Sequence, residues 1–154
     1  MLLKQHFFLI VEDKSWFCQH FVFEERNLTK GEHMTYSDDF IAAMQSGIKE
    51  LLGEWGMPFE SDVSLLNISE NATFLAKSPE GNRKIILRVH RPYYHTKQEI
   101  ESELFWVDSL RNQGVVKTAK PLELEKGGKI AILYHEEEER FVVGFEFLSG
   151  AEPV

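Results

Sequence analysis

The stretch RKIILRVHRP, residues 83–92, constrains the fold more than any other part of the chain. It alternates as a strand does, with Ile85, Leu87 and Val89 on one face and Ile86, Arg88 and His90 on the other. A guanidinium in the middle of an apolar strand needs a partner, because a buried unpaired charge is strongly destabilising. The strand therefore asks for an anion from whatever element covers its second face.

The next element supplies one. Thr96-Lys97-Gln98-Glu99 is a capping box that opens a helix running to about Asn112 and stopping near Gly114. On a helical projection Trp106, Leu110, Val107, Ile100 and Leu104 form one apolar arc, and Glu103 falls inside it. Glu101, Asp108 and Arg111 lie at or beyond its edge. A helix that aims one carboxylate at the core, after a strand that aims one cation there, predicts an Arg88–Glu103 pair. The alternative is that each charge reaches solvent along its own stem.

The surrounding pattern is that of an antiparallel sheet with helices. Ser37 caps a helix whose first turn carries Asp38 and Asp39. Phe40, Ile41, Met44, Ile48, Leu51, Leu52 and Trp55 share its apolar face, and Gly53, Gly56 and Pro58 end it. VSLLNI (63–68), TFLAK (73–77) and KIILRVH (84–90) form a three-stranded meander, with SPEGN (78–82) as the second turn. After the Lys97 helix, KPLELEKGGKIAILYH predicts a strand, a Gly-Gly turn and a second strand. EEEE (136–139) reads as a solvated loop, and RFVVGFEFL (140–148) as the last strand.

Composition limits the function classes. The 154 residues suit one domain or part of a larger protein, and 43% hydrophobic content is enough for a core. A net charge of −8 gives nucleic acid no basic stripe to bind. The one cysteine, Cys18, allows no internal disulfide, which fits a cytoplasmic protein. No apolar run approaches the ~18 residues of a membrane span. His90, His95 and His135 lack the spacing of metal ligands, so no metal site is assigned to them. Residues 1–33 match neither helical nor strand period. KGEHM (30–34) reads as a translated bacterial ribosome-binding site followed by Met34, which makes 1–33 an upstream extension and Met34 the expected start.

A strand cation paired with a glutamate on the following helix is the arrangement by which kinases hold a cation against the α- and β-phosphates of ATP. SENATF, IILRVHRP, EIESELFWVDSLRNQGV, the proline at 121 and VVGFEFLSGAEP together resemble, in order and spacing, the amino-terminal lobe of the aminoglycoside phosphotransferase family, which includes choline kinases and type II homoserine kinases. The resemblance runs from about residue 37 to the end. It implies an α+β, protein-kinase-like lobe: a five- to six-strand antiparallel sheet, one helix packed on it and one preceding helix. The helix would occupy 34–58 and the lobe 59–154.

The resemblance further implies ATP with Mg2+ for the intact family member, and weak or absent nucleotide binding by this chain alone. Ser69, Glu70, Asn71, Ala72 and Thr73 match the loop over the phosphates, which here lacks the usual glycines. Ile86 would roof the adenine, Arg88 stands at the usual phosphate-binding lysine, and Glu103 is its helix partner. Glu146, Phe147 and Leu148 match the interlobe linker whose backbone meets adenine. The catalytic and magnesium-binding aspartates of the family belong to a second lobe, and no His-Gly-Asp motif occurs in these residues. The expectation is an ATP-binding lobe of a small-molecule kinase, inactive alone, that meets a second lobe or self-associates through an exposed apolar surface. A non-catalytic relic or regulator that pairs with a separate chain is the other reading.

Overall fold

A computed structural model describes residues 36–149. The expectations for residues 1–33, Cys18 and the start at Met34 lie outside the described residues.

The first helix, α1 (Asp38–Leu51), starts where Ser37 accepts a hydrogen bond from the Phe40 N–H at 3.2 Å. It tightens into a 3₁₀ turn over Leu52–Trp55 and ends at Gly56, whose φ of 64° is the left-handed value that stops a helix. The carbonyls freed there are taken by a residue the sequence did not single out. Arg83, just before the third strand, donates to the Trp55 and Gly56 carbonyls at 2.6 and 2.8 Å.

Five strands follow the expected alternation: β1 (Asp62–Ile68), β2 (Ala72–Lys77), β3 (Lys84–Val89), β4 (Ile130–His135) and β5 (Glu138–Glu146). They form one antiparallel sheet in the order β1-β2-β3-β5-β4. Between β3 and β4 runs the second helix, α2 (Lys97–Asn112), with both halves of its capping box made by Thr96 and Glu99.

The strand predicted over KPLELE does not form. It is reduced to a single bridge between Pro121 and Phe145. Pro121 has no N–H to extend a ladder. Leu122 instead donates to the Gly144 carbonyl, and the Lys120 carbonyl accepts from Glu146, at 2.8 and 2.9 Å. The last strand is also shifted from its predicted 140–148. Two residues, Glu136 and Glu137, are enough to turn the chain, with Glu136 at φ 55°, so Glu138 already pairs with His135. The glutamate run is half hairpin turn and half strand.

The parity of β3 divides the sheet. Ile85, Leu87 and Val89 join Met44, Ile48, Leu52 and Trp55 in a dry core beneath α1. Gly144 on β5 lets the Trp55 indole lie against the strand, since a Cβ there would come within 2.6 Å of Trp55 Nε1. On the opposite face a smaller cluster holds Ile100 and Leu104 of α2 against Val143, with Ile130, Phe141 and Phe145 around it. Both helices therefore pack on the sheet, one per face. Trp106 departs from its predicted inward arc and is 42% exposed.

Candidate functional site

The predicted pair forms. Arg88 Nη2 lies 3.4 Å from Glu103 Oε1, bridging β3 and α2. The two ends differ in exposure: the Arg88 side chain is 14% accessible and that of Glu103 28%. Burial lowers the Arg88 pKa, and the Glu103 carboxylate opposes that shift. The guanidinium also sits 4.9 Å over the Phe145 ring, a cation–π contact that shields one side of it. Its Nε is buried without a hydrogen-bond partner. A planar cation with five donors, one long bond to a carboxylate and an aromatic floor is suited to receive further oxygen acceptors.

Two more ion pairs fix α2 along its length. Lys129 meets Asp108 at the entry to β4, and Arg111 Nη2 lies 3.7 Å from Glu146 Oε1 at the exit of β5. Both were placed at the helix edge by periodicity, and both reach back to the sheet. The helix is thus held at three levels by charges, while its own fully buried apolar contribution is Ile100 and Leu104.

The expected phosphate loop is partly strand. Ala72 and Thr73 are the first residues of β2, opposite Val89 and Arg88. Thr73 therefore shares the Arg88 face, whereas Ala72 points into the α1 core and is buried. Ser69, Glu70 and Asn71 form the turn, closed by a bond from Ser69 N–H to the Asn71 carbonyl at 3.0 Å. The Asn71 side chain is already engaged, accepting from the Arg91 N–H at 3.2 Å. Glu70 borders a small hollow beside Tyr36, Phe40 and Arg91 on the α1 side of the loop.

At the other end of the face, Ile86 is buried and registers with Leu75 on β2 and Phe145 on β5. Glu146 ends β5, and its N–H is committed to the Lys120 carbonyl. Its carboxylate accepts from the Lys120 N–H at 3.0 Å. Phe147 lies under Lys84, with Nζ 5.0 Å from the ring centroid, and Leu148 follows, half-buried. The sequence-predicted residues thus fall into three sets, with Ser69 in the turn that joins β1 to β2. Thr73, Ile86, Arg88 and Glu103 share one face, with Phe147 and Leu148 after its strand end. Glu70 and Ala72 turn to the other face, and Asn71 and the Glu146 N–H are spent on structure.

Two residues of this face went unassigned in the sequence. Phe145 underlies Arg88, and His90 is 2% exposed with neither ring nitrogen bonded. Parity placed His90 beside Arg88, which was the available signal. His135, by contrast, lies on the α1 face with its ring 5.4 Å from Phe40. Among the described residues no three His, Cys, Asp or Glu side chains group as metal ligands, and no helix is long and apolar enough to cross a membrane.

Neither a protein-family model nor a curated protein matches the chain. Solved structures do. A microcompartment-associated aminopropanol kinase is 37% identical and superposes with a TM-score of 0.61 over 69% of this chain and 32% of its own. This chain folds as the amino-terminal lobe of an aminoglycoside-phosphotransferase-like kinase. An amicoumacin kinase, solved with AMP-PNP, Ca2+ and Ami, shares the fold at 18% identity, with a TM-score of 0.58 over 75% of this chain and 32% of its own. The lobe thus spans about a third of the length of the kinases it matches. In this lobe the ion pair between the third strand and the second helix is Arg88 with Glu103.

Proposed function

We propose that this lobe holds ATP for a kinase that phosphorylates the hydroxyl of a small molecule. The observation that carries the reading is the Arg88–Glu103 pair, a buried cation steadied by one carboxylate and retaining donors for others. In this reading Arg88 binds the oxygens of the α- and β-phosphates, and Glu103 keeps the guanidinium on that side of the sheet. Ile86 covers the adenine. The free backbone of Phe147 and Leu148, with the Glu146 carbonyl, meets its edge. The Ser69 and Thr73 hydroxyls and the Glu70 N–H reach the outer phosphates, the Ser69 N–H being held by the Asn71 carbonyl. Asn71 acts indirectly, by tying the loop to Arg91.

Mg2+ belongs with the nucleotide, and by the family resemblance its ligands and the group that orients the acceptor belong to a second lobe. The exposed Phe105 and Trp106 on α2 support an association surface for that lobe or for a second copy. Sedimentation at rising concentration tests the second case; a monomer throughout counts against it. The 37% identity to an aminopropanol kinase supports a short amino alcohol as the acceptor class.

The test of nucleotide binding is a titration of the chain with Mg-AMP-PNP, followed by backbone and arginine side-chain resonances. Binding weaker than micromolar is expected, since one wall of a cleft contributes. It should be abolished by Arg88→Ala. Absence of any response at millimolar nucleotide, or a response unaltered by Arg88→Ala, rejects the reading.

A further inference from the structure

Arg88 Nε and both nitrogens of His90 are buried without partners, on the same face of the chain and two residues apart. Leaving so many polar atoms unsatisfied in a desolvated site is costly, and native interiors seldom tolerate it. The two side chains are chemically matched. A neutral imidazole offers one acceptor nitrogen, and Arg88 Nε offers one donor. Their surroundings also hold them together. Beyond Val89 the His90 N–H donates to the Phe141 carbonyl at 2.8 Å, which keeps His90 against β5. After burial, the Arg88 charge is the largest influence on the His90 pKa, which is pushed down to about 3. His90 is therefore neutral at ordinary pH and retains the lone pair an arginine needs.

We infer that His90 is a positioning residue for Arg88, its acceptor nitrogen linked to the Arg88 Nε–H through one bridging water, so that Nη1 and Nη2 are left to Glu103 and to nucleotide phosphate. The inference rests on the proposed nucleotide reading for its consequence, but not for its geometry. It also accounts for arginine where kinases of this fold carry lysine. An ammonium has no separate side donor to spend on His90 while its other donors serve a carboxylate and a phosphate. Arg88 and His90 are then one unit, and neither is replaceable alone.

The experiment is a double-mutant cycle of His90→Val and Arg88→Lys, with His90→Gln as the conservative variant that restores an acceptor. The readouts are the Arg88 Nε–H chemical shift with its solvent exchange rate, and the Mg-AMP-PNP affinity. In the unaltered chain the Nε–H should exchange slowly. His90→Val should speed that exchange and weaken nucleotide roughly five- to tenfold, while His90→Gln restores most of both. In the Arg88→Lys background His90→Val should change affinity less than about twofold. An Nε–H indifferent to His90→Val, or equal losses in both backgrounds, overturns the inference. If nucleotide moves no resonance while the Nε–H still responds to His90→Val and recovers in His90→Gln, the positioning role stands and the nucleotide reading falls.

Discussion

The two faces of this sheet are built on different principles. Beneath α1 the interior is apolar: Phe74, Leu87, Val142, Met44, Ile48 and Leu52 are buried within a single cluster. Beneath α2 the apolar cluster is smaller, Ile100 and Leu104 against Val143 with Ile130, Phe141 and Phe145 around them, and three ion pairs tie the helix to the sheet: Arg88 with Glu103, Lys129 with Asp108, Arg111 with Glu146. Apolar burial stabilises in proportion to area and needs no ligand. Charges taken from water seldom add stability, because desolvation opposes their attraction. Buried polar atoms without partners occur on the α1 side as well, at Trp55 Nε1 and at Arg140 Nε above the Phe40 ring. What sets the α2 face apart is that two titratable side chains, Arg88 and His90, lie unsatisfied two residues apart beside a cross-element ion pair, a grouping that suits a site better than a core.

That contrast can be broken most sharply from the α1 side. Phe74→Ala should cost about 3–5 kcal/mol, measured by urea unfolding, because a fully buried ring leaves a cavity. A cost near 1 kcal/mol would mean that this core is not the seat of stability.

Acid should act through the other face. Burial first, then the charges of Arg88 and His95, press the His90 pKa from 6.5 to about 3. The folded state thus prefers neutral His90, and its contribution is complete above pH ~6.5. It is lost as pH falls from there toward about 3, with a slope approaching ~1.4 kcal/mol per pH unit. His90→Gln should flatten this limb of the stability profile; an unchanged limb would assign it to the carboxylates.

Glu103→Ala should destabilise by about 1–3 kcal/mol, below the full cost of breaking a buried pair, because Glu103 is partly open to water. Gly144→Ala presses a methyl on the Trp55 indole and should cost about 1–3 kcal/mol, placing the two faces on one scale. The smallest effect is a gain. Tyr93 holds a φ of 62° while 89% exposed, so Tyr93→Gly should stabilise by up to ~1 kcal/mol.

What the sequence disclosed follows the same division. The α1 core was legible because helical and strand periods report burial directly, and Ser37, Thr96 and Glu99 cap where their chemistry requires. Arg88 and Glu103 were legible as misfits in apolar patterns. The extent of β5 was not, because a glutamate run looks solvated whether it turns or pairs. Asn71 and Glu146 matched the expected site by position, but their commitments to Arg91 and Lys120 depend on contacts that local pattern does not encode. His90 was passed over since a histidine in a strand has many bland explanations; only its unbonded burial distinguishes it. Trp106 was counted in the apolar arc of α2 but is 42% exposed, because helical period reports which residues share an arc and not how much of that arc the sheet covers.

The most direct measurement of the central claim is the residue map of Mg-AMP-PNP binding on isotope-labelled chain. Perturbations should centre on Thr73, Ile86, the Arg88 side chain and Leu148, with Met44, Ile48 and Leu133 on the α1 side unmoved. Perturbations centred on the α1 side, or none at Arg88 at saturating nucleotide, would contradict the account.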